Sequence, residues 1–112
     1  MKELKQFTIF PTKSYKKDFK ALKFNRKDFS LIRAELEKVR EGKKQPEFMQ
    51  NTKIRVSYIK LVINKVEIRV FFHIDYDSNT ILVVGMEKRT RAYNKERIRK
   101  LEGRVKRAKD DL

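Results

Sequence analysis

The chain has 112 residues, of which 30 are Lys or Arg and 15 Asp or Glu, for a formal net charge of +15. This length suits one domain over residues 1–112, and its 33 Leu, Ile, Val and Phe residues lift it above the composition of a disordered chain. With no Cys, disulfides, thiolate catalysis and zinc–thiolate sites are excluded, and a single His disfavours His-rich metal sites and Ser-His-Asp catalysis.

Residues 4–10 read as a strand, with Phe7, Ile9 and Phe10 as β-formers. Pro11 breaks it and Thr12 is placed to cap a helix. Tyr15, Phe19 and Leu22 then recur on one helical face, opposite Lys13, Lys16, Lys17 and Lys20. A second helix starts at Asn25 or Arg26, buries Phe29, Ile32, Leu36 and Val39, and stops at Gly42. The tight connection predicts an antiparallel helical hairpin. Residues 41–53 have no period and contain Gly42 and Pro46, as a surface loop does.

Three strands follow, over residues 55–63, 66–74 and 80–84, separated by Asn64-Lys65 and by the turn-forming stretch 75–79. Such short turns require antiparallel pairing. Asn94 is placed to cap a last helix whose buried stripe is Ile98, Leu101, Val105 and Ala108, with Gly103 weakening its middle. The order β-α-α-β-β-β-α predicts an α+β fold. Its sheet is four-stranded and mostly antiparallel, two N-terminal helices cover one face, and the C-terminal helix leaves the other face free or partly covered.

No apolar run is long enough to span a bilayer. The charged opening at residues 1–6 has no signal-peptide core, so a cytoplasmic protein without membrane contact is the expectation. The basic excess is concentrated at the ends, +5 over residues 1–24 and +6 over 85–112. A net charge beyond the ~2–8 that solubility needs points to a polyanionic partner.

The stretch 75–79 imitates the start of a calcium loop, but Thr80 stands where Gly is required and Met86 where Glu is required. Three glycines are too few for a phosphate-cradling loop. The strand at 66–74 is more informative. Alternation sends Ile68, Val70, Phe72 and Ile74 toward the helices, and Glu67, Arg69, Phe71 and His73 to the open face. Arg69 there suits a phosphate, or else an ion pair with Glu67. His73 reads as a hydrogen-bonded structural group. Tyr58 and Lys60 share a face of the preceding strand and lie beside Arg69 if the register allows. Lys88, Arg89, Arg91 and Tyr93 form a basic, aromatic segment after the last strand. Such a segment suits single-stranded nucleic acid, or else is a solvated loop.

Three segments together resemble the RelE/ParE superfamily of bacterial toxins from toxin–antitoxin pairs. They are the opening strand and helix at residues 7–22, the hydrophobic-Arg-Val strand around Arg69, and Lys88-Arg89-Thr90-Arg91-Ala92-Tyr93, similar to a recurrent (His/Lys)-Arg-x-x-x-Tyr segment. The likeness runs from Phe7 to about Ala108. Its RelE branch implies an endoribonuclease that cuts messenger RNA, often on the ribosome, without metal or small-molecule cofactor. In that reaction the RNA's 2′-hydroxyl attacks the adjacent phosphorus and the 5′-oxygen leaves, which requires a base, countercharge and an acid. The resemblance implies that Arg69 holds the scissile phosphate and that Arg89 stabilises the transition state or donates a proton. It implies that Tyr93 stacks a base or aids proton transfer, and that Lys60 serves as base or countercharge. Tyr58, Lys88, Arg91 and His73 are then RNA contacts, and a cognate antitoxin is the protein partner. The ParE branch implies a gyrase inhibitor instead. A non-catalytic RNA-binding module is the third alternative.

Overall fold

The structure is a computed structural model and describes residues 4–88 and 94–112. Arg89, Arg91 and Tyr93 therefore lie outside the described residues. Five strands, β1 Thr8–Pro11, β2 Glu47–Phe48, β3 Ser57–Ile63, β4 Val66–Asp75 and β5 Thr80–Lys88, form one sheet in the order β1-β5-β4-β3-β2. Three helices accompany it: α1 Lys13–Ala21, α2 Arg26–Arg40 and α3 Lys95–Asp110. The architecture is α+β with a mixed sheet. β1 runs parallel to β5, and every other pairing is antiparallel.

Local chemistry sets the element ends. The Thr12 hydroxyl accepts from the Tyr15 N–H at 3.4 Å and donates to the Val83 carbonyl at 2.8 Å, so the cap of α1 is also sewn to β5. Asn25 and Asp28 form a reciprocal capping box at the start of α2, at 3.0 and 2.9 Å. Asn94 caps α3 through the Arg97 N–H at 2.8 Å. Between β3 and β4, Asn64 and Lys65 both take positive φ, 52° and 67°, the two-residue turn whose twist suits a hairpin.

The sheet corrects the four-stranded expectation in three places. Glu47 and Phe48, inside the expected loop, pair with Tyr58 and Ser57 and add an edge strand. The first strand begins at Thr8 rather than at residue 4: the Leu4 N–H bonds the Arg40 carbonyl at 2.7 Å, and buried Leu4 is drawn to the end of α2. The last strand runs four residues past Val84. A bulge in β5 sets Phe71 opposite Gly85 and Phe72 opposite Val83, leaving Val84 as the extra residue, and pairing then resumes to Lys88.

Two cores share the sheet. Under α1 and α2, Tyr15, Ile32, Leu36 and Val39 pack on Ile59, Ile68, Val70, Phe72, Ile81 and Val83. On the other face, Leu101 and Val105 of α3 pack on Val56, Phe71, Leu82 and Val84. The second face is thus partly covered. Both flanks of α3 are tied. Arg104 Nη1 donates to Asp18 Oδ2 at 2.6 Å and to the Val84 carbonyl at 3.2 Å, while the same carboxylate oxygen accepts the Met86 N–H at 3.1 Å. Across the helix, Glu102 Oε2 accepts the N–H groups of Lys53 and Ile54 at 2.8 and 3.1 Å. No helix among the described residues is long and apolar enough to cross a membrane.

Candidate functional site

The three longest strands align one charged residue each. Lys60 of β3 pairs with Arg69 of β4, and Arg69 pairs with Glu87 of β5. Alternation puts this row on the α3 face, next to the Tyr58–Phe71 pair. Phe71 is fully buried beneath α3, Lys60 is exposed, and Arg69 and Glu87 are half-buried. The row therefore begins where the apolar half of this face ends.

Each member of the row is held from the side. The Arg69 guanidinium carbon lies 5.2 Å from the centre of the Tyr58 ring, and that ring is 5.9 Å from Phe71. A cation–π contact with an aromatic that itself packs on buried Phe71 restrains the guanidinium. Lys60 Nζ lies 3.3 Å from Glu47 Oε2 of the edge strand. Arg97, in the first turn of α3, reaches Glu87 Oε2 at 2.8 Å. Glu67, on the same face of β4 two residues before Arg69, is also half-buried. The expected cationic face is in fact mixed. Three cations, Lys60, Arg69 and Arg97, are interleaved with three carboxylates, Glu47, Glu67 and Glu87. Such an array offers both countercharge for a phosphodiester and carboxylates that can move protons.

The remaining candidates fall elsewhere. Lys88 pairs with Ile68, a register position on the α1–α2 side, opposite to Arg69. His73 shares the Arg69 face but stands four residues along β4, about 13 Å away at ~3.3 Å per residue. Its Nδ1 is 2.7 Å from the Arg55 carbonyl. A carbonyl only accepts, so Nδ1 carries the proton and the ring is fixed by the backbone. The sequence alone does not single out Glu87 or Glu47. Glu87 directly precedes the basic segment, and its pairing with Arg69 requires the strand to continue through Gly85.

Among the described residues, the excess positive charge lies away from this row. On α2 and the loop after it, Arg33, Lys38, Arg40, Lys43 and Lys44 all face Glu35, Glu37 or Glu41. By contrast, Lys13, Lys16, Lys17 and Lys20 of α1 and Arg99, Lys100, Lys106 and Arg107 of α3 make no ion pair among the described residues. The Asp18–Arg104 bridge joins these two helices. They carry the ridge most attractive to a polyanion. Among the described residues no three His, Asp or Glu side chains converge as a metal site. No protein-family model matches the chain, and no curated protein matches it significantly.

Proposed function

We propose that the chain is a RelE-like toxin, a metal-independent endoribonuclease that cuts messenger RNA on the ribosome and is neutralised by a cognate antitoxin in the cytoplasm. The observation that carries this reading is the Lys60–Arg69–Glu87 row, with the Arg69 guanidinium in cation–π contact with Tyr58. Arg69 holds the scissile phosphate and Lys60 supplies a further cation. Arg89 serves as transition-state ligand or proton donor, and Tyr93 as base-stacking or proton-transfer partner. Tyr58, Arg91 and His73 contact the RNA. The ridge on α1 and α3 docks on ribosomal RNA or on the acidic segment of the antitoxin.

Inducible expression followed by mapping of message ends tests the reading. New 5′ ends within translated messages are expected, along with cleavage that survives EDTA. Arg69→Ala is expected to lower cleavage at least tenfold, about 1.4 kcal/mol or more of transition-state stabilisation. Undiminished cutting by Arg69→Ala and Arg89→Ala removes the assigned site. The cations of the ridge, which make no ion pair among the described residues, favour a second reading, a non-catalytic RNA-binding module. It predicts RNA binding that weakens steeply with salt, equal slopes for wild type and Arg89→Ala, and no cutting by either. Gyrase-dependent DNA breaks with intact message would select the ParE-like alternative.

A further inference from the structure

We propose that the Glu87 carboxylate is the proton acceptor for the attacking ribose 2′-hydroxyl, with Lys60 the proton donor to the leaving oxygen. This assignment rests on the ribonuclease reading and adds the division of labour within its site. In-line transfer at phosphorus places the incoming and leaving oxygens on opposite sides of the phosphate, so acceptor and donor must flank the group that holds it. Glu87 and Lys60 flank Arg69 in this way, one on each neighbouring strand. Adjacent strands lie about 4.8 Å apart, so β3 and β5, which carry the two groups, are about 10 Å apart on either side of Arg69.

The other two carboxylates are less suited. Glu67 lies along β4 from Arg69 rather than across from Lys60, opposite exposed Val62 near the hairpin end. Glu47 stands on the edge strand beyond Lys60, on the same side of Arg69 as that lysine, and is paired to it. Glu87 rises from a long strand, its side chain is only 14% exposed, and Arg97 orients it at 2.8 Å. A carboxylate oxygen accepts and an ammonium group donates, as these two roles require. The step balances. The 2′-hydroxyl proton passes to Glu87 as the 2′-oxygen–phosphorus bond forms. The bond from phosphorus to the 5′-oxygen then breaks, and that oxygen takes a proton from Lys60. The products are a 2′,3′-cyclic phosphate and a 5′-hydroxyl.

The test is single-turnover cleavage of a labelled message on translating ribosomes across a pH series. Arg69 from β4 and Arg97 from α3 face Glu87, with Lys60 one strand further. Wild-type rate is expected to rise with pH through the carboxylate range and then level. Glu87→Gln is expected to cut at least a hundredfold more slowly, with an unchanged melting midpoint and no acidic rise. Wild-type cleavage matched by Glu87→Gln, or an acidic rise retained in that variant, overturns the assignment and leaves the ribonuclease reading intact. No cleavage by wild type overturns both. Should Glu87→Gln melt early, Arg97→Ala decides. Losing that cation moves the acidic rise to higher pH if Glu87 is the acceptor, and an unmoved rise overturns the assignment.

Discussion

The two faces of the sheet use the same strands differently. Toward α1 and α2, β3, β4 and β5 present Ile59, Ile63, Ile68, Val70, Phe72, Ile81 and Val83, all buried. Toward α3 they present Phe71, Leu82 and Val84 over part of their length, and Lys60, Arg69 and Glu87 beyond it. An apolar face can only be a core. A face divided between apolar and charged rows anchors a helix at one end and holds ionic groups at a fixed strand spacing at the other. Stability is concentrated on the first face, and the groups able to do chemistry stand on the second.

Substitutions can break or sharpen this contrast. The largest effect is expected at the first face, where Phe72→Ala should lower unfolding free energy by about 3–5 kcal/mol in urea denaturation. At the second face, Asp18→Ala strands the half-buried Arg104 guanidinium and the Met86 N–H, for about 2–3 kcal/mol. A double-mutant cycle with Arg104→Ala should show strong coupling. A Cβ at Gly85 would stand 2.9 Å from Arg104 Nη1, 3.2 Å from Asp18 Oδ2 and 3.3 Å from Leu101. Gly85→Ala should therefore cost about 1–3 kcal/mol, read by the same melts.

Away from both faces, the Ser78 hydroxyl donates to Asp75 Oδ2 at 2.6 Å and, against the opposing effect of burial, holds that carboxyl below its ordinary range. A depressed carboxyl stabilises the fold above its unfolded pKa of about 3.9, and the contribution disappears as pH falls through the folded value. Ser78→Ala should cost about 1 kcal/mol at pH 7, and the difference from wild type should close in acid below that range. The smallest change has the opposite sign. Nothing lies within 4 Å of a Cβ at Gly103, so Gly103→Ala should raise stability by about 0.5–1 kcal/mol in thermal melts.

Much of this contrast is legible in the sequence because it depends on local period. The stripes of Tyr15 and Phe19, of Ile32, Leu36 and Val39, and of Leu101 and Val105 mark the helices. The alternation from Glu67 to Ile74 divides β4 between the two faces as expected. What stayed hidden depends on partners distant in the chain. Glu47 and Phe48 are too short a strand to show a period, and only Tyr58 and Ser57 make them one. The parallel register of Thr8 against Thr80 spans the whole fold. The stripe of α3 shows that it must cover something, but not that Arg104 and Glu102 fasten it over Phe71. The pairing of Glu87 with Arg69 and Arg97 likewise follows from tertiary register, so a positive sequence folded into a mixed row.

The two fastenings of α3 also make the helix a unit whose opening can be timed. The amides of Lys53 and Ile54 are held by Glu102 of α3, whereas the Met86 amide is held by Asp18 of α1, the partner of Arg104. Lifting of α3 would bare the Lys53 and Ile54 amides to solvent deuterium together and leave Met86 bonded. A shared exchange free energy at Lys53 and Ile54, below that of Met86, would mark α3 as one cooperative piece, separable from the strands beneath it.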